Sequence, residues 1–362
     1  MRTAGIVMEL NPPHSGHEKV VAAARKSLGG GAVVAVMSGN FVQRGEPAVF
    51  PKHARARAAL DIGVDLVLEL PTAYALSSSE GFARAGVALL LSTGVVQAIA
   101  FGSESGDIDA LKKCAAACSS EACEEATREA LTRGLSYGAA RQSALEALLG
   151  GGADIMRSPN NLLGVEYLRA AERLGAAPEF ICVRREPGVS ATAARGELRG
   201  VENTALGVPM FPENLDIAIL SRLRAMTADE WGRVRGGGDG LAERAARYCG
   251  MGGSVAEVAS LIKTRRYAMS RVRRFLLCAA IGIRDDLPET PRYIRVLAAN
   301  ATGCALLREI AEESALPVIT KPSASRLLEL EAAATDLYNL GYADAAMRAG
   351  GAEWKLSPII ID

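Results

Sequence analysis

The chain has 362 residues, 49% of them apolar, which is enough to bury a large core and suits two structural units. Its 41 basic side chains balance 41 acidic ones. There is therefore no global charge to draw nucleic acid or a membrane, and any cationic surface must be local. Aromatic residues are sparse while Ala, Gly and Leu abound, so helix-rich packing around a small sheet is expected.

The first informative stretch is Gly5 to Val20, GIVMELNPPHSGHEKV. Gly5 to Met8 is a short apolar run and reads as a buried first strand. Asn11-Pro12-Pro13 then forces a turn, because two prolines forbid continued strand or helix. His14-Ser15-Gly16-His17 follows, and Glu18 to Leu28 reads as a helix. Two of the chain's three histidines thus lie where a strand ends and a helix begins. A helix N-terminus carries unpaired N–H groups and a partial positive charge, and so attracts phosphate. Residues three apart share a helix face, and Gly16 removes a side chain where a ligand would approach the backbone. Imidazoles placed there suit hydrogen bonding to a nucleotide's phosphates. The bland alternative is a pair of polar helix-start residues with no ligand.

Ala32 to Met37 reads as a second strand, broken by Ser38-Gly39-Asn40. A polar loop to Pro51 holds Gln43, Arg44, Gly45 and Glu46. A helix over 52–62 leads to a third strand, Val64 to Leu70, ended by Pro71. Residues 77–91 read as a helix with Ser78 or Ser79 near its cap, and Val95 to Phe101 as a fourth strand. Gly102-Ser103-Glu104-Ser105-Gly106 turns the chain again. Short apolar strands alternating with helices predict a parallel, doubly wound sheet. Ligands of such sheets sit beyond the carboxyl ends of the strands. Three loops reach that edge: Asn11 to His17, Ser38 to Pro47, and Gly102 to Asp107.

Residues 114–150 read as helical, with breaks near Gly134 and Gly138. The seven cysteines, at 114, 118, 123, 182, 249, 278 and 304, include no C-x-x-C pair. This argues against a disulfide framework or structural zinc. Ser158 and Pro159 open another helix, and Phe180 to Val183 reads as a fifth strand, followed by Arg184-Arg185-Glu186. Ser190-Ala191-Thr192-Ala193-Ala194-Arg195 then starts a helix, and hydroxyls at a helix start with an arginine nearby suit a triphosphate tail. From about Gly200 strand signals stop and helices are expected over 214–226, 229–234, 241–249 and 255–263. Lys263 to Arg274 carries six basic residues and no acidic one. With Tyr267 interleaved it suits an RNA backbone and a stacked base, or else is a solvated helix face. Arg292 and Arg295 extend this basic surface on the same reading. No charged-then-apolar leader and no apolar run near 18 residues is present, so a soluble, cytoplasmic protein without a membrane partner is expected.

Glu9 to His17, E-x-N-P-x-H-x-G-H, resembles the HIGH-type signature of the nucleotidylyltransferase superfamily, and Ser190 to Arg195 resembles its S-x-T-x-x-R partner motif. Met37 to Ala48 (MSGNFVQRGEPA), Gly63 to Pro71 (GVDLVLELP), Phe101 to Ile108 (FGSESGDI), Lys263 to Arg274 and Pro291 to Leu297 are similar to segments of one family, the bacterial tRNA(Met) cytidine acetate ligases. The similarity runs along most of the chain. In the usual N-P-F-H-N-G-H, Pro13 and Ser15 replace Phe and Asn here, and the segment between Arg185 and Ser190 is short and lacks a Tyr-His-Asp run.

The resemblance implies an α/β fold: a Rossmann-like parallel sheet of about five strands (a HIGH-type nucleotidylyltransferase core) with a helical insertion near 110–155. It implies an ATP-binding domain over 1–200 and a helical, tRNA-binding domain over 201–362. The implied activity is ATP-dependent activation of acetate as acetyl-adenylate, then acetyl transfer to N4 of the wobble cytidine of elongator tRNA(Met). Catalytic roles fall on His14, His17 and Arg195. ATP contacts fall on Val7, Glu9, Asn11, Pro12, His14, Gly16, His17, Val20 and Gly102. They also fall on Asn160 (alternatively Asn161), Arg185 (alternatively Arg184), Ser190 and Thr192. Lys263, Arg265, Arg266, Tyr267, Arg271, Arg273 and Arg274 are the implied tRNA contacts. Mg2+ is expected to bridge the phosphates, with no protein metal cage. A small-molecule adenylyltransferase of the same fold, or a non-catalytic RNA-binding relative, are the other readings.

Overall fold

Apolar runs without polar alternation make strands that are covered on both faces, and four such runs line up at the centre of this computed structural model. It describes residues 1–186, 191–322 and 326–362, the side chains of residues 326 and 327 excepted. In chain order, strand β1 (Thr3–Met8) leads to helix α1 (Ser15–Ser27) and β2 (Ala32–Ser38). A small hairpin, β3 (Phe41–Val42) and β4 (Glu46–Pro47), precedes α2 (Lys52–Asp61), β5 (Leu66–Leu70), α3 (Thr72–Ala75), α4 (Ser79–Ser92) and β6 (Ala98–Ser103). The expected helical insertion is α5 (Ile108–Cys118), α6 (Glu121–Thr132) and α7 (Tyr137–Leu149), and α8 (Pro159–Arg173), β7 (Glu179–Arg184) and α9 (Ala191–Glu197) follow.

The five expected strands pair in parallel in the order β5-β2-β1-β6-β7. Alternate side chains serve the two faces. Ile6, Met8, Val33, Ala35 and Met37 pack with Val21, Ala24, Ala56 and Ala59 of α1 and α2. Val7, Val34 and Val36 pack on the other side with Phe82, Leu89 and Leu90 of α4 and with α8. Strand order reverses at β1, so the crevice for a ligand lies at the carboxyl ends of β1 and β6.

The C-terminal part continues through α10 (Asp216–Arg224), α11 (Ala228–Gly232), α12 (Leu241–Tyr248), α13 (Val255–Ile262) and α14 (Met269–Ile281). These pack around Leu223, Trp231, Phe275 and Leu276. The expectation that strands stop near Gly200 is corrected. Strand β8 (Ile294–Ala299), α15 (Ala301–Glu313), β9 (Val318–Ile319), α16 (Arg326–Asn339) and β10 (Ile359–Ile360) follow. Strand β8 pairs antiparallel with β5 and parallel with β9 and β10, so the sheet has eight strands. The run IRVLAA is apolar enough for a buried strand; Arg295 within it masks the signal. Arg295 is itself only 1% exposed and donates to the Leu356 carbonyl at 2.9 Å. It therefore does not extend a basic surface, whereas Arg292 is exposed.

A buried charge cluster ties this C-terminal part to the sheet. Lys52 Nζ lies 2.7 Å from Glu69 Oε1 and 2.8 Å from Glu353 Oε2. Burial opposes the Lys52 charge, but Glu69 and Glu353 outweigh it and raise its pKa. Glu331 accepts from the Thr72 N–H at 2.8 Å and the Thr72 hydroxyl at 2.6 Å. Burial, then Glu69, pushes its carboxyl up to about 8, so it holds its proton at neutral pH. The cluster then sets Lys52 and Arg295 against Glu69 and Glu353, two charges of each sign. Breaking such a pair costs about 3–5 kcal/mol.

Glu331 carries a testable sign. The unfolded carboxyl ionises near 4.5 while the folded one keeps its proton to about 8. Between those values the folded state binds more protons, so this group makes stability fall as pH rises, by at most about 1.4 kcal/mol per pH unit. Glu331→Gln should flatten the decline in melting temperature between pH 5.5 and 8. Thermal unfolding across that range checks this, and a variant with the parent's slope would overturn it.

Candidate active site

His14 is the N-cap of α1, with extended backbone (φ −154°, ψ 165°). Its Nδ1 accepts from the Gly16 N–H at 3.1 Å, while His17 Nδ1 accepts from the His14 N–H at 3.2 Å. This is a reciprocal capping box in which two imidazoles take the places usual for Ser/Thr and Glu. With each Nδ1 used as an acceptor, the proton of each ring sits on Nε2. The rings stack with centroids 3.8 Å apart. Burial lowers the His14 pKa, as does Arg185. Burial, then His14 and Arg185, brings His17 down to about 3. Both rings are therefore neutral hydrogen-bond donors at pH 7; the positive potential comes from nearby arginines and the helix end.

The loops around them are fixed by Arg55, which is fully buried. Its Nε donates to Phe50 O at 2.9 Å, Nη1 to Glu9 O at 2.5 Å, and Nη2 to Ser38 O at 3.1 Å and to Gly39 O. The carboxyl ends of β1 and β2 are thereby joined. Glu9 accepts from the Gln43 N–H at 2.7 Å and the Ser38 hydroxyl at 3.0 Å; burial nonetheless raises its pKa. Asn11 Oδ1 accepts from the Val49 N–H at 2.7 Å. Arg195 donates to Asn11 O at 2.9 Å and to Thr192 Oγ1 at 3.2 Å, which brings the second motif against the first.

These groups wall a cavity of about 550 Å³, within the ~300–1,000 Å³ of small-molecule sites. Val7, Glu9, Asn11, His14, Gly16, His17, Val20, Gly102, Asn160, Arg185, Thr192 and Arg195 all lie on its wall. Pro12 is buried and is not on that wall, because it turns the backbone beneath the histidines. Ser190 lies outside the described residues. Asn160 is on the wall and donates to Glu104 Oε1 at 2.6 Å. Asn161 is 3% exposed and is used internally, its Oδ1 accepting from Ser103 Oγ at 2.6 Å. Arg185, and not Arg184, lines the cavity. A Cβ on Gly102 would lie 3.3 Å from Arg185 Cγ, so glycine gives the arginine stem its room.

The family described as HIGH Nucleotidyl Transferase matches residues 1–197 and 196–352. The chain is 33% identical to the tRNA(Met) cytidine acetate ligase of Acetivibrio thermocellus, over 100% of both chains. It is equally similar to that of Alkaliphilus metalliredigens, over 99% of this chain and 98% of the relative. The chain belongs to the tRNA(Met) cytidine acetate ligase family. A crystal structure of Thermotoga maritima TmcAL bound with alpha-thio ATP matches it over 100% of both chains, with TM-score 0.91 and 30% identity. The family and the α/β fold expected from the motifs are thus established.

Two groups of residues stand differently in this family member than the sequence suggested. Met156, Phe82, Phe101, Leu162, Leu163 and Tyr167 form an apolar floor to the cavity. They carry no chemical signal and read as core; only the place of Phe101, at a strand's carboxyl end, pointed to the site. Gln43 and Arg44 also line it, from the polar loop that was expected at the sheet edge but whose residues carried no role. In the basic segment, Lys263, Arg265 and Arg266 are exposed. Tyr267 is 3% exposed and its hydroxyl donates to Asp239 O, so it cannot stack on a base. Arg271 lies over the Tyr267 ring and pairs with Asp239 at 3.0 Å. Arg273 pairs with Glu46, and Arg274 donates to Gln43 O at 3.1 Å. The run crosses from an open loop into α14, whose first turns face the β3–β4 hairpin, and this divides it into an outward and an inward half.

The neutrality of His17 has a direct test. Its ring signals in a proton NMR titration, assigned with His17→Asn, should stay flat between pH 5 and 8. A midpoint near 6.5 would refute the neutral-donor account.

Proposed function

We propose that this chain is a tRNA(Met) cytidine acetate ligase acting in two steps. A carboxylate oxygen of acetate attacks the α-phosphorus of ATP, and the bond to the β-phosphate oxygen breaks. Acetyl-adenylate and pyrophosphate result. The N4 amine of the wobble cytidine of elongator tRNA(Met) then attacks the acetyl carbonyl and releases AMP. The observation that carries this reading is the pair of neutral imidazoles presented at the N-terminus of α1 inside the cavity. They supply Nε2–H donors to phosphate oxygens while carrying no charge, and the helix dipole adds to them. Thr192 and Arg195 hold the phosphate tail. Asn160, Arg185 and Gly102 take the nucleoside side, and the apolar floor excludes water from the adenylate.

Mg2+ would travel on the phosphates. Glu46 is paired with Arg273, and Glu9 is occupied by Gln43 and Ser38, so neither is spare for a protein cage. Residues 201–362 present the tRNA face, through Lys263, Arg265 and Arg266. No helix among the described residues is long and apolar enough to cross a membrane, and we place the reaction in the cytoplasm, where tRNA is found.

Acetate-dependent exchange of labelled pyrophosphate into ATP, followed by mass analysis of digested tRNA for N4-acetylcytidine, tests both steps. Exchange with unmodified tRNA would point instead to a small-molecule adenylyltransferase. His14→Ala should cut exchange by roughly 100-fold or more while leaving tRNA affinity unchanged; persistent exchange would refute the phosphate role. Replacing Lys263, Arg265 and Arg266 by Gln should weaken tRNA binding and flatten its salt dependence, read by titration at several salt concentrations. Unchanged affinity would remove this segment from the interface.

A further inference from the structure

Two cations on the cavity wall have no role in the account above; Arg157 is paired with Glu146 and Asp154, which leaves Arg44. Arg44 sits at the tip of the β3–β4 hairpin, in the loop Gln43-Arg44-Gly45. The loop closes through the Gly45 N–H to Val42 O bond at 2.9 Å, with Gly45 at φ +76°. Three-residue hairpin loops characteristically end in a left-handed glycine of this kind.

This turn is held from two sides. From the sheet, Glu9 accepts the Gln43 N–H. From the C-terminal helices, Arg274 donates to Gln43 O and Arg273 pairs with Glu46. A Cβ on Gly45 would lie 2.6 Å from the Arg274 nitrogen, so α14 packs directly on the turn. The backbone beneath Arg44 is therefore fixed. Its guanidinium is not: among the described residues no hydrogen bond or ion pair engages it, and the residue is exposed to the cavity mouth.

Arg195 lines the same cavity, held by Asn11 O and Thr192. Burial lowers the Arg195 pKa; Glu46 and Glu9 act against that, while the Arg44 charge on the same wall adds to it. Two like charges on one cavity wall disfavour each other, and an anion of high charge between them converts that repulsion into attraction.

We propose that Arg44 is a phosphate-binding residue of the adenylation site, holding with Arg195 the β- and γ-phosphates of ATP that leave as pyrophosphate. This rests on the two-step ligase reading. In an in-line displacement the attacking carboxylate and the departing pyrophosphate lie on opposite sides of the α-phosphorus. Arg195 belongs with the phosphate tail in that reading, and its neighbour Arg44 is placed on the same side. As the acetate oxygen bonds to phosphorus, the β-phosphate oxygen keeps the electron pair of the breaking bond, and the two guanidiniums stabilise the charge it gains.

The test uses the full chain, as Arg44→Ala and Arg44→Lys, with pyrophosphate and AMP as separate probes. Since Arg44 has no partner among the described residues, both variants should keep the parent's melting temperature. Arg44→Ala should bind pyrophosphate roughly tenfold more weakly, raise KM for ATP, and leave AMP affinity unchanged. Arg44→Lys should recover part of the loss. Equal pyrophosphate affinity in parent and Arg44→Ala would overturn the proposal. So would a rise in KM for acetate alone, which would place Arg44 on the carboxylate. If the parent itself exchanges no pyrophosphate into ATP, the ligase reading fails and this proposal goes with it.

Discussion

Four carbonyl oxygens converge on the guanidinium of Arg55, those of Glu9, Ser38, Gly39 and Phe50. Where β1 and β2 end, their last carbonyls turn away from the sheet ladder and must find donors. Arg55 supplies several donors from one rigid plane. Burial lowers its pKa to about 10, which leaves it charged at neutral pH. The rest of the site depends on this junction. It holds Glu9 where that residue can accept from Gln43, and it sets the separation between the histidine loop and the β3–β4 hairpin. Leu10, next in the chain, is buried and left-handed at φ 49°. That is a conformation a leucine adopts only when its surroundings compel it.

Within this frame the histidines are constrained twice over. Each closes the helix N-terminus with one nitrogen and faces the cavity with the other. A serine would cap the helix as well but would not reach a phosphate. A charged imidazole would bind phosphate more strongly but could not accept the backbone N–H. On the proposed reading the neutral ring is the form that does both, and burial beside Arg185 favours it. Positive charge is delegated to arginines that stand back from the helix end.

Much of the core was legible because β1, β2 and β6 are largely apolar runs, and β5 is interrupted only by Glu69 near its end, each between turn-forming residues, a pattern with few alternatives. That the histidine, Thr192–Arg195 and Gly102 segments wall one cavity was legible because the ligand crevice of a parallel sheet lies at its strand ends, whatever the side chains. Strand β8 was hidden by Arg295, a charged residue whose partner Glu353 is 58 positions away and leaves no local trace. Tyr267 misled for the opposite reason: it sits in a basic run, and nothing nearby in sequence announces that Asp239 takes its hydroxyl. The apolar floor, from Phe82 to Tyr167, cannot be told from core by residue type. Only the fold shows that one side of these rings is uncovered.

The buried cluster around Lys52 has a consequence for the order in which the molecule can be completed during synthesis. Residues 1–186 contain every sheet strand of the parallel core, yet Lys52 needs Glu353 and the free side of β5 needs β8. Until those late residues leave the ribosome, a nascent chain would expose an unpaired strand edge, with a buried ammonium short of one carboxylate. Exposed edges of this kind recruit other strands. The N-terminal half is thus made first and finished last, and the nascent chain has to be shielded over roughly half its length.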